Sequence, residues 1–267
     1  MIAMSAHNMI KYLNHQTEEN VQTKLIHFIF NHYHTLQHMT IIELAQRCYV
    51  STASVSRFAR NFGYHSFDDM KNSIATEMTI SEPYVTYRMT KQSLKELSSH
   101  PDEFYRLFAD GIITSIKDTV NTLPFEAIDM LLHRILQTDD VILFGYDIMI
   151  DELRIFQSTL LSCGIIVRLG ETPDVQLELA KHLTSHSTAI VFSSFGTFFA
   201  KLPTVYSHIV QSNAHLILVT QMPGSNIYTG VFDEVLPISS KTNVEAGSYP
   251  MNFLLDYMAR RIFVLQR

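Results

Sequence analysis

The chain has 267 residues, of which 46% are hydrophobic and 17% charged, with a net charge of −6. This composition gives enough apolar material for one large domain or two small ones and excludes a long charged disordered tail. The acidic balance excludes nucleic-acid binding through bulk charge, and the absence of an 18-residue apolar run or a secretory leader leads us to expect a soluble, cytoplasmic chain with no membrane partner. The charge is uneven: residues 1–90 hold seven Lys or Arg against seven Asp or Glu, so the negative excess lies in the remainder.

Residues 1–19 are polar and rich in His and Asn, and are expected to be loosely held. Val21–Tyr33 reads as a helix with a wide apolar face formed by Leu25, Ile26, Phe28, Ile29 and Phe30. His32, His34 and His38 have no Cys or carboxylate at metal-ligand spacing, so they read as a helix end and loop, and no metal site is expected. Cys48 and Cys163 lie far apart in apolar helical contexts and read as buried thiols.

The segment Thr40–Phe67 carries the densest signal. Ile41–Cys48 reads as a short helix, Tyr49–Val50 as a tight turn, and Ser51 as the N-cap of a second helix that Gly63 closes. Val55, Phe58, Ala59 and Phe62 fall at i, i+3, i+4 and i+7, an inward stripe. The other face carries Thr52, Ser54, Ser56, Arg57 and Arg60, with no acid among them. Small hydroxyls and guanidinium groups on the second of two short helices are what a DNA-reading helix-turn-helix presents to phosphates and base edges. Ser51, Thr52, Ser54 and Ser56 are therefore candidate contacts near the helix start, with Arg57 and Arg60 reaching phosphates or guanine, and Arg47 and Lys71 touching the DNA backbone. Arg57 has a second reading, in which it braces the turn internally. A further helix is expected from Phe67 to about Met78, closing a helical domain over residues 1–80.

Residues 81–103 mix Pro, Ser and charge and read as the connection between domains, with the second domain over residues 104–267. Phe104–Leu123 and Phe125–Leu136 read as helices separated by Pro124. The period then changes. Val141–Gly145, Ile165–Leu169, Thr188–Ser193, Leu216–Thr220 and Val235–Ile238 are short β-branched apolar runs. Helical segments alternate with them at Asp151–Cys163, Asp174–Leu183, Ala200–Ser212 and Met251–Leu265. Strands apolar throughout are buried on both faces, and strand-helix alternation implies a parallel sheet in a three-layer α/β domain. Ligands in such sheets bind outside the carboxyl ends of the strands, which points to the loops at residues 145–150, 193–199 and 220–228.

The segment LAQRCYVSTASVSRFARNFGYHSF resembles the RpiR-type transcriptional regulators, whose pattern is LA-x(4)-VS-x-x-[ST]-V-x-RF-x-[RK]-x-[LF]-GF-x-x-F; Tyr64 stands where that family usually has Phe. The resemblance implies an all-α helix-turn-helix domain followed by an α/β three-layer sugar isomerase (SIS)-like domain with a flavodoxin-like parallel sheet. It also implies a double-stranded DNA operator, a phosphosugar or related effector, control of sugar or amino-sugar genes, often as a repressor, and a homodimer or tetramer. No cofactor is implied.

The second half departs from the family. Where SIS domains carry G-x-G-x-S after the first strand, this chain reads Gly145-Tyr146-Asp147-Ile148-Met149. Where they carry S-x-S-G-x-T after the third, it reads Ser193-Ser194-Phe195-Gly196-Thr197-Phe198. Gly145, Ser193, Ser194, Gly196, Thr197 and Ser225 remain as candidate ligand-binding residues, while the two phenylalanines remove donors and Asp147 adds an acid. Two readings stand: a domain kept for dimerisation alone, or a pocket retuned to a less anionic ligand. Glu245 is the one carboxylate where SIS isomerases keep an acid/base, but it sits in the loop TNVEAGSYP without a partner and reads as a surface residue. The chain is thus read as a regulator and not an enzyme, with no catalytic residues. A sugar-phosphate isomerase-like enzyme and an effector-independent DNA-binding protein are the alternatives.

Overall fold

The computed structural model describes residues 6–79, 89–224 and 230–266. The chain divides into two compact units, Met1–Tyr87 and Arg88–Arg267.

The first unit is helical: α1 Ala6–Asn14, α2 Val21–Asn31, α3 Tyr33–Leu36, α4 Ile41–Arg47, α5 Thr52–Asn61 and α6 Phe67–Thr79. Residues 6–14 are helical rather than loosely held because Met9 is fully buried among the side chains of this unit's core. The Asn20 side chain accepts the backbone N–H groups of Gln22 and Thr23 at 2.8 and 3.0 Å and starts α2. Leu25, Ile26 and Ile29 of α2 and Val55, Phe58 and Ala59 of α5 then share one core. Burying a side chain such as Phe58 contributes about 2–3 kcal/mol.

The second unit opens with α7 Lys91–Ser99 and α8 Pro101–Thr122, followed by α9 Phe125–Gln137. Residues 81–88 of the expected connection lie outside the described residues, but residues 91–99 and 101–103 of it are helical. No apolar stripe announces α7 because the residue it buries is polar, Ser93. Five parallel strands follow in the order β2-β1-β3-β4-β5: β1 Asp140–Phe144, β2 Arg168–Leu169, β3 Ser187–Ser193, β4 His215–Thr220 and β5 Glu234–Pro237. Helices α10 Ile148–Ser162, α11 Pro173–Lys181, α12 Thr197–Lys201, α13 Pro203–Gln211 and α14 Tyr249–Leu265 cover both faces. Alternate strand residues divide between two cores. Val141, Leu143, Ile190 and Phe192 pack with α9, α10 and α14, while Ile142, Phe144, Val191 and Leu218 pack with α11, α12 and α13. This is the three-layer α/β arrangement expected.

Two of the differences from the sequence reading have a clear local cause. The strand expected at Ile165–Leu169 shrinks to Arg168–Leu169. Gly164, at φ 77°, turns the chain out of α10, and the Ile165 N–H bonds back to Leu160. The helix expected at Ala200–Ser212 is two helices, α12 and α13, because Pro203 has no N–H to continue the first.

Candidate nucleic-acid interface and ligand site

The helix-turn-helix is built by caps. Thr40 and Glu43 form a reciprocal capping box that starts α4, with the Thr40 N–H donating to Glu43 Oε2 at 2.7 Å and the Glu43 N–H donating to Thr40 Oγ1 at 3.2 Å. The backbone N–H of Thr40, then its hydroxyl, hold the Glu43 carboxyl below its ordinary range. The T-x-x-E spacing is the sequence signal that could have found this box. Ser51 accepts the Ser54 N–H at 3.1 Å, and the two hydroxyls lie 2.9 Å apart. Ser51 and Ser54 thus cap α5 while remaining at its solvent-facing start.

Both helices end in the same way. After α5, the Gly63 N–H donates to the Arg60 carbonyl at 2.9 Å and the Tyr64 N–H to Ala59 at 3.0 Å, with Gly63 at φ 83°. After α4, the Tyr49 N–H donates to Gln46 at 3.2 Å and the Val50 N–H to Ala45 at 2.9 Å, with Tyr49 at φ 55°. Each is a Schellman closure, whose C′ residue must take the left-handed conformation.

The expected DNA contacts separate by environment. Arg47, Thr52, Arg57 and Arg60 are exposed and Ser56 is half-buried. Arg57 and Arg60 pair with no carboxylate among the described residues, so the structure does not show Arg57 bracing the turn. Lys71 is otherwise engaged. Its ammonium donates to the Met39 carbonyl at 3.3 Å, pairs with Asp68 at 2.9 Å and lies over the Phe67 ring at 5.6 Å. It ties α6 to the loop before α4.

In the second unit, the sheet order places a topological switch between β1 and β3, where a crevice opens at the strand ends. That crevice is lined by Tyr146, Asp147 and Met149 after β1 and by Ser193, Ser194 and Phe198 after β3, but it encloses only about 40 Å³. A small-molecule site usually needs about 300 Å³ or more. Phe198 is 1% exposed and packs with Val205 and Phe232, so the residue that replaces the family's threonine belongs to the core. The Ser193 and Ser194 hydroxyls are buried in the crevice without a hydrogen-bond partner. Thr197 is exposed and Gly196 sits at φ 76°. Gly145 serves packing: a Cβ there would lie 3.0 Å from Leu153 Cδ1 and Met149 Cγ, and its carbonyl accepts Gln176 Nε2 at 2.9 Å. Ser225 lies outside the described residues.

Glu245 is not a free surface residue. Its Oε1 accepts the Thr90 N–H at 3.1 Å and the Ser93 hydroxyl, closing the start of α7. The same loop is fixed at Ser240, whose N–H and hydroxyl donate to Asp118 at 2.8 and 2.5 Å, and at Asn243, which donates to Ser115 Oγ at 2.8 Å. Gln221, at the end of β4, joins the loop to the crevice: its N–H donates to the Ser194 carbonyl at 3.2 Å and its side chain to Gly247 O at 3.0 Å. The groups that hold the loop come from elements remote in sequence, which is why it read as unattached.

Residues 4–87 match the model of the helix-turn-helix domain, rpiR family. A relative described as an uncharacterized HTH-type transcriptional regulator in the aarA 3′ region of Providencia stuartii is 24% identical over 207 residues, covering 67% of this chain and 71% of that protein. The Vibrio vulnificus NanR protein complexed with ManNAc-6P is similar in structure, with a TM-score of 0.52 and 16% identity over 97% of this chain and 91% of that one. A putative sugar-phosphate isomerase from Listeria monocytogenes gives a TM-score of 0.51 and 15% identity over 67% of this chain and 93% of that one. A helix-turn-helix domain followed by a SIS-fold α/β domain makes this a DNA-binding transcriptional regulator. Its helix-turn-helix domain, over residues 4–87, is of the rpiR family.

Proposed function

We propose that the helical domain reads a two-fold operator through α5 and that the SIS-fold domain governs this binding in response to a phosphosugar, with the domains joined before Thr90. The exposed, acid-free face of α5 carries the DNA part: Thr52, Ser56, Arg57 and Arg60, with Arg47 beside them, are open to solvent in whole or in part while Ser51 and Ser54 hold the helix start. Lys71 is left out because its ammonium is engaged internally.

We assign the effector to the β1/β3 crevice. The partnerless Ser193 and Ser194 hydroxyls support this, since buried polar groups are rarely left unsatisfied. The complex of a structurally similar regulator with ManNAc-6P supports the chemical class. Entry requires the Phe195 and Phe198 side of the crevice to move. Gln221 and the 240–247 loop join the crevice to α7, the first described helix after the DNA-binding domain, and so provide a physical route for a population shift.

We assign the second copy to α8. This 22-residue helix buries only Ser115 and Thr119 and exposes Tyr105, Leu107, Phe108, Ile113 and Val120. A groove of about 390 Å³ beside it is lined by Ile116, Ile155, Tyr249 and Phe253. So apolar a face on a regulator of two-fold DNA favours a homodimer. We read the chain as a cytoplasmic regulator without enzymatic activity. Glu245, the residue at the family's acid/base position, is occupied at the start of α7.

Thermal shift of the full chain with ManNAc-6P, fructose 6-phosphate and inorganic phosphate tests the sensing part. A ligand at about 100 times its Kd adds about 2.7 kcal/mol, or several °C. A shift by either phosphosugar that Ser193→Ala removes supports the site. No shift with either, at millimolar concentration, refutes it.

A further inference from the structure

Two helices in the first unit end in the same backbone closure, and the residue types at the critical position differ. Gly63 takes the left-handed position after α5, as expected where a Cβ is disfavoured. Tyr49 takes it after α4, with the same pair of backbone hydrogen bonds. A bulky side chain at positive φ is an outlier whose penalty must be offset elsewhere. Packing does not offset it, because Tyr49 is 96% exposed. Its neighbours in the motif do the packing: Cys48 is buried and Val50 rests against the core. Glycine would close this helix with less strain and lose no core contact. The phenol is held, by a strained backbone, two residues ahead of the Ser51 cap of the recognition helix.

That location gives the side chain a task. The start of a recognition helix enters the major groove, and the residues just before it pass the phosphates that border the groove. A phenol hydroxyl is a neutral donor that suits a phosphate oxygen, and side chains that contact phosphates fix the register of the protein on the duplex. We propose that Tyr49 is a positioning residue for DNA, donating its hydroxyl to a backbone phosphate at the edge of each half-site. The inference rests on α5 being the helix that reads the operator.

The test uses the full chain and a duplex recovered by selection from a random pool with the wild-type protein. Tyr49→Phe keeps the ring and the backbone strain but lacks the donor. It is expected to weaken binding about 5- to 10-fold, equally across the selected sequences. Because no charge is removed, the salt dependence of its affinity should match that of the wild type, whereas loss of a charged phosphate contact would flatten it. Phosphate-ethylation interference should lose one phosphate per half-site in Tyr49→Phe. Tyr49→Gly should weaken binding at least as much while its melting temperature holds or rises, a combination that a purely structural tyrosine would not give. Wild-type affinity in Tyr49→Phe, or an unchanged ethylation pattern, overturns the proposal. Failure of the wild-type chain to select any duplex would instead refute the operator reading itself.

Discussion

Glu245 Oε1 accepts the backbone N–H of Thr90 at 3.1 Å, across 155 positions of sequence. The same carboxylate receives the hydroxyl of Ser93, so the first turn of α7 is closed from a distant loop as well as by its own Thr90 cap. Glu245→Ala should therefore destabilise the second unit by about 1 kcal/mol, discounted for the exposure of Thr90. Hydrogen exchange should localise the loss, with faster exchange over residues 91–99 than in β3. Unchanged protection in α7 would show that the clasp contributes nothing in solution.

The neighbouring attachment of that loop should be pH-dependent. Burial pushes the Asp118 carboxyl up, but the hydroxyl and N–H of Ser240, aided by the charge of Lys241, together hold it below the ordinary aspartate range. A carboxyl with a lowered folded pKa stabilises the fold fully above its unfolded value and loses that contribution as pH falls through the folded one. The loss should fall below about pH 4. Melting temperatures measured from pH 6 to pH 3 should drop more steeply for the wild type than for Asp118→Asn, and parallel curves would contradict the assignment.

Arg57 is exposed and pairs with no carboxylate among the described residues, so its charge is available to the duplex. Arg57→Ala should leave the melting temperature within about 1 °C, since surface changes of this kind alter stability little. If Arg57 meets a phosphate, the slope of log affinity against log salt should fall by about 1 for each protomer on the DNA, with similar losses across sequences. If it meets a guanine, discrimination at one base position should fall by about 1–3 kcal/mol. Binding at several salt concentrations to selected and scrambled duplexes separates the two, and wild-type behaviour on both would remove Arg57 from the interface.

Phe198 fills the space beside the crevice at 1% exposure. Phe198→Ala should cost about 3–5 kcal/mol, equivalent to a fall of roughly 6–20 °C in melting temperature for a unit of this size. The enlarged crevice should then admit ManNAc-6P more readily, and that ligand should recover more of the stability in the variant than it adds to the wild type. A variant that melts like the wild type would show that the side chain is not part of the core.

The helix-turn-helix was legible because each of its signals is local. The Ser51 cap, the Val55–Phe62 stripe and the Gly63 stop act within one or two turns, and the structure places a cap, buried face and left-handed closure at those residues. The alternation of apolar runs and helices likewise gave the three-layer class. The Ser193 and Ser194 crevice was approached through the carboxyl ends of the strands, and the bulk expected of Phe198 is seen as a crevice of only about 40 Å³. By contrast, α7 was missed because its buried residue is Ser93 and its partner Glu245 comes from another part of the chain. Lys71 looked like an available cation because sequence gives no sign that the Met39 carbonyl lies within reach of its ammonium.

The sequence by itself determined the helix-turn-helix, the strand-helix alternation of the second unit, and which helix carries an acid-free face of hydroxyls and guanidinium groups, because caps, periodicity and residue type operate over a few positions. Only the tertiary structure decided how much room the strand ends leave, what Glu245 and Lys71 hold, and that Tyr49 occupies a conformation suited to glycine. Those outcomes depend on distances between residues remote in sequence and on backbone angles set by two helices closing against one core.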